Sequence, residues 1–222
     1  MKCGVLFSGG KDSTYAAYLC RKFKNEISCL ISIFSKNPDS YMFHTPSINQ
    51  VSKQAKVMDI PLMTYDTIGE EEKELDDLEY AISDCIDKYG IKAVVTGAVE
   101  SAYQASRVQR ICDKLHIECF NPLWQKDQIE LLKELVNNDF KVIITSVRAY
   151  PLDEKLLGVE IDDDFIKKAE ELYEKYKINP AGEGGEFETL VINCPLFKRP
   201  LEIVDKKIMG NKNSWTLEVE LK

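Results

Sequence analysis

Ser8-Gly9-Gly10-Lys11-Asp12-Ser13 stands between an apolar run at residues 2–7 and a segment, 12–24, in which Ala16, Leu19, Cys20 and Phe23 recur at helical spacing. A glycine pair in that setting lets the backbone pass close to an anion with successive N–H groups turned inward. The helix N-terminus behind it adds partial positive charge. Ser8 and Ser13 offer hydroxyl donors and Lys11 a full charge. Asp12 has two readings, a helix cap or a hold on a magnesium-bound water. The hexamer falls at the carboxyl end of a strand, where parallel sheets bind ligands. Its spacing is neither G-x-x-x-x-G-K-[ST] nor G-x-G-x-x-G. The plain alternative is a solvated Gly-Gly turn before a capped helix.

Outward from the hexamer, strands and helices alternate. Residues 27–34 read as an Ile-rich strand, 46–58 as a helix entered through Pro46, and 61–64 as a short strand. A long acidic helix at 70–88 stops at Gly90. Strand 93–96, helix 102–115 and strand 118–120 complete the series. Such alternation predicts a parallel sheet covered on both faces. From about Leu123 the pattern changes to helix 128–137, strand 141–147, helix 162–176, and strands 189–193, 201–204 and 216–221, with a turn at 209–211. The expectation is an α/β, Rossmann-like domain at 1–122 and a smaller, substrate-binding α+β region at 123–222.

Bulk composition bounds the partners. The 222 residues are 44% hydrophobic, enough for a sizeable core, and the formal net charge is -8. Phosphate-backbone binding wants a basic surface, so no nucleic acid is expected. The 7 cysteines contain no C-x-x-C pair, which argues against a zinc ribbon and fits a reducing cytoplasm. No apolar run approaches a membrane span, and no signal segment is read, so the expected location is cytoplasmic. A homo-oligomer is left open.

The hexamer in this context resembles the PP-loop of the ATP pyrophosphatases, whose fold is adenine nucleotide alpha hydrolase-like. That resemblance implies a loop gripping the β- and γ-phosphates of ATP while a substrate attacks the α-phosphorus. Further blocks narrow it: Asn37-Pro38-Asp39-Ser40-Tyr41-Met42-Phe43-His44-Thr45, Gly97-Ala98-Val99-Glu100-Ser101-Ala102-Tyr103-Gln104, Asn121-Pro122-Leu123-Trp124, and Ala181-Gly182-Glu183-Gly184-Gly185-Glu186-Phe187-Glu188-Thr189-Leu190-Val191. From Val5 to about Lys206 they resemble, in order, the diphthine–ammonia ligase family, and the short chain is like its archaeal members. The resemblance implies ATP-dependent amidation of diphthine on elongation factor 2 with ammonium, through an acyl-adenylate. Its rivals are another PP-loop adenylating enzyme, acting on tRNA or a small carboxylate, and an ATP-binding sensor without turnover.

Candidate residues follow. Ser8, Gly9, Gly10, Lys11, Asp12 and Ser13 are expected on the triphosphate, with Lys11 and Asp12 catalytic and Asp12 toward Mg2+. His44 reads either as a contact to ATP or as a residue at a helix entry. Gly97 reads as room for the nucleotide or as a plain turn. Tyr103, Gln104 and Arg107 share a turn of helix and are candidates for substrate binding, the guanidinium suiting planar oxyanions. Glu183, Glu186 and Glu188, with Phe187, are expected to line the substrate wall, where carboxylates and an aromatic face suit a quaternary ammonium. His116 reads as structural. No G-x-S-x-G or H-E-x-x-H pattern occurs, in keeping with chemistry that needs positioning more than a side-chain nucleophile.

Overall fold

The computed structural model describes residues 1–35 and 48–222. The chain divides into two compact units, Met1–Trp124 and Gln125–Lys222.

In the first unit, β1 (Lys2–Leu6), β2 (Glu26–Ser35), β3 (Leu62–Thr67), β4 (Ala93–Val95) and β5 (Glu118–Phe120) form one sheet in the order β3-β2-β1-β4-β5. Every pairing is parallel. The connections are α1 (Lys11–Lys22), α2 (Ile48–Met58), α3 (Glu71–Tyr89) and α4 (Ala102–Lys114). The sheet is thus the α/β, Rossmann-like one expected. Its middle strands are buried on both faces, which is why β2 reads as a mostly apolar run instead of an alternation. Cys29, Ile31 and Ile33 of β2 pack on Leu78, Ala81, Ile82 and Cys85 of α3 and on Val108, Ile111 and Cys112 of α4. Within the β2 core, the buried Ser32 hydroxyl is satisfied by donating to the Phe7 carbonyl at 2.6 Å.

β1 is central, with its chain leaving toward β2 on one side and β4 docking on the other. The strand order reverses there, so the carboxyl end of β1 is the switch point of the sheet. The hexamer occupies that position.

The second unit holds α5 (Gln128–Asn137), β6 (Lys141–Val147), α6 (Asp163–Tyr176), β7 (Phe187–Asn193), β8 (Ile203–Asn211) and β9 (Ser214–Leu221). Its sheet is antiparallel in the order β7-β6-β9-β8. Helix starts are set by acidic caps: Asp127 accepts from Glu130 N at 2.9 Å and Asp162 from Phe165 N at 2.8 Å.

Some bounds differ from the reading. Helix α1 ends at Lys22, and Lys24 takes a left-handed conformation beyond it. The turn expected at 209–211 lies at 212–213, and Gly210 and Asn211 are still paired in β8. A Cβ on Gly210 would stand 2.3 Å from the Ser214 carbonyl oxygen, so this glycine serves close backbone approach inside a hairpin. Cysteines far apart in sequence meet as neighbours. Cys20, Cys29 and Cys112 each hydrogen-bond another thiol (Cys3, Cys85 and Cys119), and that contact together with burial pushes their ionisation up. Among the described residues, no helix is long and apolar enough to cross a membrane.

Candidate active site

The loop after β1 is closed on itself. Ser8 N donates to Ser13 Oγ at 3.2 Å, and the two serine hydroxyls stand 3.1 Å apart. Gly9 is left-handed at φ +80. Gly10 is the N-cap of α1 and has no side chain to offer the first turn. The first-turn N–H groups have no carbonyl to bond within their own helix, which suits them to an anion. Thr14, fully buried, anchors the turn from behind by donating Oγ1 to the Gly10 carbonyl at 2.8 Å.

Lys11 is 4% exposed, and its Nζ lies 2.8 Å from Asp12 Oδ2. Asp12 Oδ1 is buried with no hydrogen bond among the described residues. Asp12 sits in the first turn and not at the cap, so the capping reading falls away. An oxygen so placed would fit one position around a magnesium ion, with phosphate and water supplying the others. Among the described residues no group of three His, Cys, Asp or Glu side chains is arranged to hold a metal alone.

Gly97 lies against this loop. A Cβ there would stand 2.7 Å from Asp12 C and from Ser13 N. The room it leaves is taken up by the backbone of α1's first turn. Thr96 beside it donates Oγ1 in a short hydrogen bond to Asn121 Oδ1, which ties the carboxyl ends of β4 and β5 together. Helix α4 rises from that same edge, capped by Ser101, which accepts from Gln104 N at 3.2 Å. On it the Arg107 guanidinium lies 3.3 Å over the ring of Tyr103. Stacking of this kind fixes the guanidinium plane. The structure therefore places Gly97 against the Ser8–Ser13 loop, and Tyr103, Gln104 and Arg107 on the helix that follows β4. His44 and Tyr41 lie outside the described residues.

In the second unit, residues 179–188 form a tightly tied turn. Asn179 Oδ1 accepts from Ala181 N and Glu183 N, both at 3.1 Å. Gln128 Oε1 also accepts from Ala181 N. Glu186 Oε1 accepts from Asn179 N at 3.1 Å, while its Oε2 is buried with no hydrogen bond among the described residues. Glu188 pairs with Arg148 at 3.1 Å, both partly exposed. Gly182 and Gly185 supply the positive φ angles of the turn. Phe187 departs from expectation. It is buried at 7% exposure and packs edge-on against Phe165, centroids 5.9 Å apart, so its face is not offered to a ligand.

Residues 1–119 match the family model of the diphthamide synthase N-terminal domain, and residues 127–220 match that of the diphthamide synthase C-terminal domain. The chain belongs to the diphthamide synthase family. Among similar proteins is the diphthine–ammonia ligase of Mus musculus, 33% identical over 91% of this chain and 83% of that protein. The diphthine–ammonia ligase of Homo sapiens is 32% identical over 92% and 83%. That of Schizosaccharomyces pombe is 31% identical over 100% of this chain, which spans only 39% of the length of that relative. A solved structure titled as a predicted subunit of tRNA methyltransferase from Methanocaldococcus jannaschii superposes with TM-score 0.43 at 17% identity, covering 88% of this chain and 98% of that one.

One residue of this chain escaped the reading of sequence. Gln54 on α2 is wholly buried and donates Nε2 to the Gly9 carbonyl at 2.9 Å. A signal existed: Val51, Gln54, Ala55 and Met58 form the buried stripe of α2, and an amide in an apolar stripe needs a partner.

Proposed function

We propose that this chain is an ATP-dependent diphthine–ammonia ligase, an AMP-forming enzyme of carbon–nitrogen bond formation. The observation that supports it best is that both domains of one family match in order along a chain whose anion loop sits at the switch point of its sheet. The substrate is diphthine on elongation factor 2, and the nitrogen donor is ammonium.

In this reading the N–H groups of the loop, the Ser8 and Ser13 hydroxyls and the Lys11 ammonium hold the β- and γ-phosphates. The diphthine carboxylate attacks the α-phosphorus and the bond to the β-phosphate oxygen breaks, so pyrophosphate leaves and an acyl-adenylate remains. Ammonia then adds to the acyl carbon, AMP departs, and the amide is formed. Ammonium must first give up a proton. Lys11, buried beside a carboxylate, offers a fixed charge in a shielded place, where it acts more strongly than in water. Asp12 Oδ1 would hold Mg2+, which supplies charge neutralisation on the phosphates when bound. Tyr103, Gln104 and Arg107 are assigned to the substrate side of the nucleotide edge. Glu183, Glu186 and Glu188 are assigned to the cationic substrate, with Glu186 Oε2 the buried acceptor among them.

The test is release of AMP and pyrophosphate from ATP with magnesium, ammonium and elongation factor 2 carrying diphthine. Release should require the modified factor and ammonium, leave an amide on the factor, and vanish in Lys11→Ala. Release that ignores the factor would overturn the substrate, and no release at all would overturn the ligase.

A further inference from the structure

The Gly9–Gly10 peptide is the part of the loop least able to hold itself. Two glycines in succession place no Cβ in the way of a peptide flip. A carbonyl turned inward would meet a phosphate with its negative end, whereas an N–H turned inward would bind it. Something outside the loop has to choose between the two.

Gln54 is placed to choose. Its Nε2 donates to the Gly9 carbonyl at 2.9 Å from α2, 45 positions along the chain. The fit is close: a Cβ on Gly9 would lie 2.2 Å from Gln54 Oε1. A trans peptide points its C=O and its N–H in opposite directions. Drawing the Gly9 carbonyl to α2 therefore sends the Gly10 N–H away from α2. That N–H donates to Ser8 Oγ at 3.4 Å, and Ser8 Oγ stands 3.1 Å from Ser13 Oγ within the same loop. Since Gln54 is wholly shielded, water does not compete for this contact.

We propose that Gln54 is a positioning residue of the ATP site, setting the Gly9–Gly10 peptide so that the Gly10 N–H meets a phosphate oxygen. The inference rests on the reading of the loop as an ATP site. It assigns to α2 a part in nucleotide binding that comes through the backbone and not through contact with ATP.

The test uses the full chain, magnesium and the α,β-methylene analogue of ATP, titrated calorimetrically, with kcat and KM for ATP measured alongside. Gln54→Met keeps the length and removes the donor; the dissociation constant and KM should rise about tenfold, the scale of one hydrogen bond to a charged group. Gln54→Glu gives a sharper readout. Its carboxylate faces a carbonyl when ionised and can donate only when protonated, and burial raises its pKa. Its affinity relative to wild type should therefore recover as pH falls, which a role in stability alone would not produce. Should Gln54→Met fail to fold, that pH profile still decides. Wild-type affinity in Gln54→Met, or a Gln54→Glu profile that tracks wild type at every pH, overturns the proposal. Failure of the wild-type chain to bind the analogue would instead overturn the ATP reading itself.

Discussion

Replacing Gly97 by alanine adds one methyl group at a place where only backbone can yield. The new Cβ would stand 2.7 Å from Asp12 C and Ser13 N and 3.0 Å from Asp12 O. Carbon contacts are comfortable from about 3.5 Å, so the loop or the β4 end must move by roughly 0.8 Å. Overpacking of this kind costs about 1–3 kcal/mol in stability. A displacement approaching ~1 Å in a group that positions a reacting phosphate costs on the order of 100-fold in turnover. The assay is a thermal melt together with pyrophosphate release. Gly90→Ala is the control. Gly90 sits at φ +65 with nothing within 4 Å of an added Cβ, so alanine there meets backbone strain of about 1–2 kcal/mol and leaves turnover alone. Gly97→Ala should lose turnover out of proportion to its melt, and Gly90→Ala should lose only stability. A Gly97→Ala protein that turns over ATP at the wild-type rate would refute the packing argument.

Three further outcomes are expected. Glu186→Ala should lower the urea midpoint by the equivalent of about 1–3 kcal/mol, because it orphans the Asn179 N–H, whereas Glu186→Gln keeps an acceptor and should lose much less. Asp84 is held below the usual carboxylate range by Lys88 and the Tyr65 hydroxyl. Its contribution to stability is present above the unfolded value, about 4, and is lost as pH falls through the lower folded value. Asp84→Asn should therefore melt earlier than wild type near neutral pH, with the gap closing in acid. Six of the cysteines are buried and Cys119 is partly so, and burial pushes Cys194 up to about 12. A disulfide reagent at mildly alkaline pH should label Cys119 first and the rest only on unfolding, as mass spectrometry of the labelled peptides would show.

The sequence carried the parallel sheet because its signals are local and repeated. Strands such as β1 and β4 are short, largely apolar runs, and helices such as 70–88 announce their ends, here with Gly90 as a left-handed cap. The loop was legible because Ser8 to Ser13 are contiguous. What stayed hidden depends on contacts between distant segments. Gln54 meets Gly9 across 45 positions, and Gly97 owes its identity to Asp12 and Ser13. The same holds for Phe187. An aromatic among glutamates suggested an exposed face, yet the pleat of β7 turns it inward onto Phe165. Gly210 and Asn211 looked like a turn by type, and only the pairing register shows them still inside the hairpin.

The pairing of β1 with both β2 and β4 has a consequence for how the protein is made. A ribosome that has released the chain through α3 has already delivered the hexamer, α1 and the Gln54 helix. The β1 strand still lacks its second neighbour at that point, and the Asp12–Ser13 backbone lacks the wall that Gly97 provides. Up to that point the sheet is held by backbone pairing and apolar burial on one side of β1 only. A nucleotide bound at the loop would add its stabilisation to the folded state by mass action.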